Sequence, residues 1–107
     1  MTFKKLCDFK GENEAWKVIG ELIDPLADIA SDEKIREMLT GKSGLDKKGA
    51  AKYICSNHKE NATKILAILA GEEYEKFRAK ITPATIFLGV VTVLNDKELI
   101  DLFLSQG

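Results

Sequence analysis

The sequence predicts an all-α fold, a compact bundle of five to seven short helices in which residues 1–107 form a single helical domain. Three observations point there. Apolar residues recur at three-four spacing in segment after segment. Most of these segments are bounded by a residue able to cap a helix or by a glycine able to stop one. Finally, 107 residues with 45% hydrophobic content, 16 Lys+Arg and 17 Asp+Glu match one globular core and exclude intrinsic disorder. Compactness scaling gives a radius of gyration of about 13 Å, enough to bury a dozen or more side chains and too small for a deep cleft between two lobes.

Between Asn13 and Ala30 the apolar positions are Ala15, Trp16, Ile19, Leu22, Ile23, Leu26, Ala27 and Ala30, one face of a helix. Asn13 can cap it, and Asp24-Pro25 predicts a break or kink, or two shorter helices. Ser31 offers the next cap, with Asp32 and Glu33 favourably placed at the positive end of a short helix carrying Ile35, Met38 and Leu39. Gly41 ends that helix, and Lys42 to Asp46 reads as the main loop, with Asp46 as the following cap. Ala50, Ala51, Ile54 and Cys55 make a narrow apolar stripe, and Ile65, Leu66, Ile68 and Leu69 a stronger one. One long helix or two would satisfy both stripes, with Asn61 as a fresh cap favouring two. Gly71 is a C-terminal stop, after which Tyr74, Phe77 and Ile81 outline a short amphipathic turn or helix.

Thr82-Pro83 is the firmest punctuation in the chain: threonine caps and proline pre-sets the first turn of a helix through Ile86, Phe87, Val90, Val91 and Leu94. Its apolar residues run nearly all the way round, which places it in the middle of the bundle, although Val90-Val91-Thr92-Val93 has strand propensity. Asn95 and Asp96 separate it from a last amphipathic helix, Lys97 to Ser105, presenting Leu99, Ile100, Phe103 and Leu104. That terminal helix either closes the core or docks onto a partner, and its four apolar residues are the candidate partner-binding set. Trp16, Phe87 and Phe103 stand at core spacings, so packing accounts for them.

A net charge of -1 argues against a dedicated binder of nucleic acid or anionic membrane. Charge is nonetheless uneven: residues 11–40 hold eight acids and three bases, residues 41–60 five lysines and two acids. Two cysteines, Cys7 and Cys55, allow at most one bridge, which points to free thiols and the reducing cytosol. The N-terminal lysines are not followed by an apolar signal segment, and no run approaches the ~18 apolar residues of a membrane span.

Catalytic and metal signatures are weak. Cys55 and His58 lie three apart, and Cys7 would make only three soft ligands where structural zinc takes four. His58 is also the only near-neutral base, with Ser56 or Cys55 the nearest nucleophile, but no orienting acid or oxyanion site is signalled. Gly41-Lys42-Ser43-Gly44 contains the GKS of a phosphate loop, yet Arg36 stands where that motif needs its first glycine. Lys42, Lys47, Lys48, Lys52 and Lys59 could line a DNA-binding helix-turn-helix, but the segment lacks arginine and has only Tyr53 as an aromatic. No metal, cofactor or catalytic residue is therefore expected.

The second half carries a family resemblance. An apolar helix ending in Leu69-Ala70-Gly71-Glu72-Glu73, the Thr82-Pro83 start, and Val93-Leu94-Asn95-Asp96-Lys97-Glu98-Leu99 leading into a Leu102-Phe103 helix resemble the small tail-assembly chaperones of long-tailed phages and prophages of Gram-positive bacteria. The resemblance implies an all-α, non-enzymatic protein of the host cytoplasm. Its client would be the tape-measure protein, held while the tail tube polymerises, with the tail-tube protein as a further partner and homo-oligomerisation left open. A helical adaptor with another client and a helix-turn-helix regulator are the alternatives.

Overall fold

The computed structural model describes Phe3, residues 11–40 and residues 46–105, and among these it forms seven α-helices. They are α1 (Glu12–Ala30), α2 (Glu33–Thr40), α3 (Lys47–Asn57), α4 (Lys59–Ala70), α5 (Tyr74–Lys80), α6 (Pro83–Leu94) and α7 (Lys97–Ser105). The expected all-α single-chain bundle is thus what forms, with a radius of gyration of 13.0 Å. The Gly41 stop, the loop from Lys42 and the cysteine at position 7 lie outside the described residues.

Local chemistry fixes most boundaries. The Asp46 carboxylate accepts from the Gly49 N–H at 2.9 Å and caps α3. The Thr82 hydroxyl accepts from the Thr85 N–H at 3.2 Å, with Pro83 in the first turn of α6. Gly71 ends α4 at φ 72, where the Gly71 N–H reaches Ile68 O and the Glu72 N–H reaches Ala67 O, a Schellman closure. Asp96 starts α7, its Oδ1 accepting from the N–H groups of Glu98 and Leu99. The β-branched run Val90–Val93 is helical throughout.

Four expectations need correction. First, α1 continues through Pro25 without interruption. Pro25 is buried, and the helix's packing on α4 outweighs the single backbone bond that proline removes. Its N-cap is Gly11, not Asn13. Second, Asp32 and not Ser31 caps α2, accepting from the Lys34 N–H at 3.0 Å, while the Ser31 hydroxyl donates back to Asp28 O. Third, the break between α3 and α4 falls at His58, three residues before Asn61. Fourth, Trp16 is 64% exposed and stands outside the core.

The core joins all the helices. Leu22 and Leu26 of α1 face α4; Ala50 and Ala51 of α3, both fully buried, let that helix pack closely on α6; α2 covers α3 and α5 covers α4. Helices α4 and α6 meet at Gly89, where a Cβ would fall 2.8 Å from both Leu66 Cδ atoms and 2.9 Å from the Phe3 ring, so any larger residue would have to push those side chains aside. Phe3 in turn meets Phe77 edge-on, with ring centroids 6.0 Å apart. Helix α7 closes the bundle against α6 and α1. Its C-terminal end receives Arg36, whose Nη2 donates to Leu104 O at 3.4 Å, a cation suited to the negative end of the helix.

Candidate functional site

The densest polar cluster joins three helices. Asp32, at the start of α2, receives the Tyr53 hydroxyl of α3 at 2.9 Å and faces His58 Nε2, at the α3–α4 corner, also at 2.9 Å, both on Oδ2. A carboxylate only accepts hydrogen bonds, so Nε2 carries the imidazole proton. The hydrogen bond from His58 is the main force holding the Asp32 carboxyl below its ordinary range. Partial burial opposes it, and the Tyr53 hydroxyl and Lys34 amide reinforce it. The same bond to Asp32, followed by burial and the carboxylate's charge, raises the Tyr53 phenol. Lys34 Nζ lies 5.2 Å from the centre of the Tyr53 ring. Oδ2 of Asp32 therefore ties the start of α2 to the α3–α4 corner while Oδ1 caps α2 on the Lys34 N–H, and the arrangement is a structural clasp.

His58 thus has an acidic partner that its sequence neighbours did not signal. Cys55, half-buried against the core, has its thiol pushed up by that burial, away from the reactive thiolate. Among the described residues no group of three or more His, Cys, Asp or Glu side chains stands together as a metal site. Of the lysine stripe, Lys48, Lys52 and Lys59 are exposed, whereas Lys47 reaches across to the Asn95 side chain at 2.9 Å.

The candidate partner-binding residues of α7 divide in two. Leu99 and Phe103 are buried core residues, lining with Leu26 and Ile65 an apolar cavity of about 30 Å³, room for a single water. Ile100 and Leu104 pack against the core but stay partly exposed. The terminal helix therefore closes the bundle with its inner pair and leaves only its flank on the surface.

The large exposed apolar side chains lie elsewhere. Helix α6 has no charged residue, and its buried side, Ile86, Gly89, Val90 and Leu94, leaves Leu88 64% exposed beside exposed Ala84 and half-buried Val91. Hence α6, packed on α3, α4 and α7 as a helix in the middle of the bundle would be, stays uncovered only around Leu88 and its first turn. On α1 the side chains left out are Trp16 and Ile23. Uniform apolarity in α6 gave no sign of which side would remain uncovered, so Leu88 was not legible. No helix among the described residues is long and apolar enough to cross a membrane. No protein-family model matches the chain, and no curated protein or solved structure matches it either.

Proposed function

We propose that this protein is a tail-assembly chaperone of a long-tailed phage or prophage, acting in the host cytoplasm. It would bind the tape-measure protein through apolar helix-to-helix contact while the tail tube assembles. The observation that carries the reading is the outer face of α6: a helix without a charge, exposing Leu88 between Ala84 and Val91. Burying one leucine contributes roughly 1.5–3 kcal/mol, a weak contact by itself. Repeated along a long helical client by many copies of the chaperone, it becomes avid. The resemblance of residues 61–106 to that chaperone family includes α6 and supports the same assignment. The residues at work would be Leu88 and its neighbours, with Ile100 and Leu104 in reserve and Leu99 and Phe103 holding α7 in place.

The test is affinity capture from source cells after prophage induction, with the tagged wild-type chain and with Leu88→Glu side by side. Capture of one very long, helix-rich tape-measure-like protein by the wild type, reduced several-fold in the variant, is the expected result. Capture of other proteins only, with tail genes expressed, overturns the proposal and leaves a helical adaptor. Equal capture by both chains removes α6 as the docking face.

A further inference from the structure

Helix α1 has more apolar surface than its own chain covers. Its buried side runs through Val18, Leu22, Leu26 and Ile29. At 100° per residue, Trp16, Gly20, Ile23 and Ala27 form a second stripe about 130° away. Of these Trp16 is 64% and Ile23 39% exposed, Gly20 is exposed and Ala27 partly so. Their spacing of four, three and four residues is the seam of a two-stranded helical pair.

We propose that this seam is the two-fold interface of a homodimer in which α1 packs antiparallel on α1 of a second copy. Side-chain size favours that occupant. The seam alternates large and small, and antiparallel pairing about the point midway between Gly20 and Ile23 sets Trp16 over Ala27 of the second copy and Gly20 over its Ile23, with the reciprocal contacts following by symmetry. Each large side chain then meets a small one.

Charge agrees. Lys17 and Asp24 lie seven residues apart on one flank of the seam, both exposed and with no ion pair among the described residues. In the antiparallel register Lys17 of each copy stands level with Leu26 of the other, only two residues or about 3 Å along the axis from its Asp24 on the same flank, within reach of the lysine side chain, giving two symmetric attractive pairs.

Gly20 supplies an independent sign. A glycine inside a helix destabilises it by about 1 kcal/mol relative to alanine. The chain itself has no use for one here: φ is ordinary and a Cβ would meet nothing within 4 Å. Gly89, by contrast, is crowded by Leu66 and Phe3. Close approach of Ile23 from a second copy gives Gly20 the reason its own fold does not. This dimer does not depend on the identity of the client.

The experiment is sedimentation velocity of the full chain over a wide concentration series, alongside the fluorescence of Trp16, the sole tryptophan. The mass should rise from 11.9 kDa towards twice that value as the Trp16 emission shifts to the blue over the same concentrations. Gly20→Gln should raise the melting temperature of the dilute monomer, through better helix propensity, yet weaken dimerisation at least tenfold by filling the place of Ile23. Lys17→Asp and Asp24→Lys should each weaken it about tenfold, since symmetry turns two attractions into two repulsions, and the double reversal should restore it. A monomer at every concentration overturns the proposal. So does a dimer indifferent to Gly20→Gln, and a dimer in which the double reversal fails to rescue refutes the antiparallel register.

Discussion

Phe103→Ala tests whether the last helix is part of the core. Phe103 is 4% exposed and sits beside Leu99 where α7 meets α6 and α1. A buried phenylalanine removes about 150–250 Å² from water, or about 4–6 kcal/mol at 25 cal/mol per Å². Allowing for the methyl group that remains and for local collapse, the expected loss is about 3–5 kcal/mol. A chain of 107 residues has about 5–16 kcal/mol in all, so the variant should be marginal. One feature limits the damage. Helix α7 is the last described element and follows a tight corner at Asn95–Asp96, so it can undock while the remaining helices stay paired. The combined variant Leu99→Ala with Phe103→Ala should therefore cost clearly less than the two single losses added together. Leu104→Ala, at a partly exposed position one residue on, should cost only about 1 kcal/mol. Urea denaturation followed by far-ultraviolet circular dichroism measures the wild type, Phe103→Ala, Leu99→Ala, the double variant and Leu104→Ala. A Phe103→Ala loss no larger than that of Leu104→Ala would refute the placement of Phe103 in the core and return α7 to the role of a free docking helix.

Other perturbations address the caps and the clasp. Asp46→Ala and Thr82→Ala each remove a side-chain acceptor from a helix start and should lower stability by about 1 kcal/mol, read from denaturation midpoints. Gly71→Ala places a Cβ at φ 72 and should cost about 1–2 kcal/mol by the same measurement, although no neighbouring atom obstructs it. For Asp32, a carboxyl held below its ordinary value of 3.8 contributes stability that is complete above that pH and is lost as pH falls through the lower folded value. The stability gap between wild type and Asp32→Asn should accordingly stay constant from neutrality down to pH 3.8 and close below it; a gap that opens on acidification would contradict the clasp. Tyr53 has the opposite sign: with its phenol raised above 10.0, its contribution is complete below that pH and fades above it, which Tyr53→Phe should abolish.

Where one residue decides a boundary through its own chemistry, the fold was legible. Asp46, Gly71 and the Thr82-Pro83 pair act through local hydrogen bonds or a fixed φ, and each marks an end in the structure as in the sequence. Boundaries chosen by tertiary contact were not. Pro25 signals a break, but its helix has a buried side on α4 that runs past the proline from Leu22 to Ile29, and that continuous burial carries the helix on. Asp32 and Ser31 are equally good caps on paper. Asp32 serves because Tyr53 and His58, 21 and 26 residues away, converge on its other oxygen, an arrangement no local window contains. The same distance in sequence concealed the clasp itself.

Helix α1 shows why a correct period can place the buried face only in part: Leu22, Leu26 and Ala30 are buried as expected, Trp16 and Ile23 are not. Its apolar positions, from Pro25 and Val18 at one edge to Trp16 and Ala27 at the other, span an arc of about 200°, wider than the stripe one helix buries against a small bundle. Trp16, as the largest side chain, draws the predicted face toward itself. The bundle instead takes the narrower side chains Val18, Leu22, Leu26 and Ile29, which fit beside the small and aliphatic residues of α4. An arc this wide serves two surfaces, and the period alone does not say which belongs to the chain. What distinguishes them is the residue that a buried face would not need: Gly20, unforced by backbone or neighbours, lies on the outer stripe. If Gly20→Ala leaves self-association unchanged while stabilising the monomer, the glycine has no partner and the outer stripe is merely surface. If it weakens association while the monomer gains stability, the two effects of opposite sign come from one methyl group and assign the wide arc to two partners, the chain's own core and a second copy of α1.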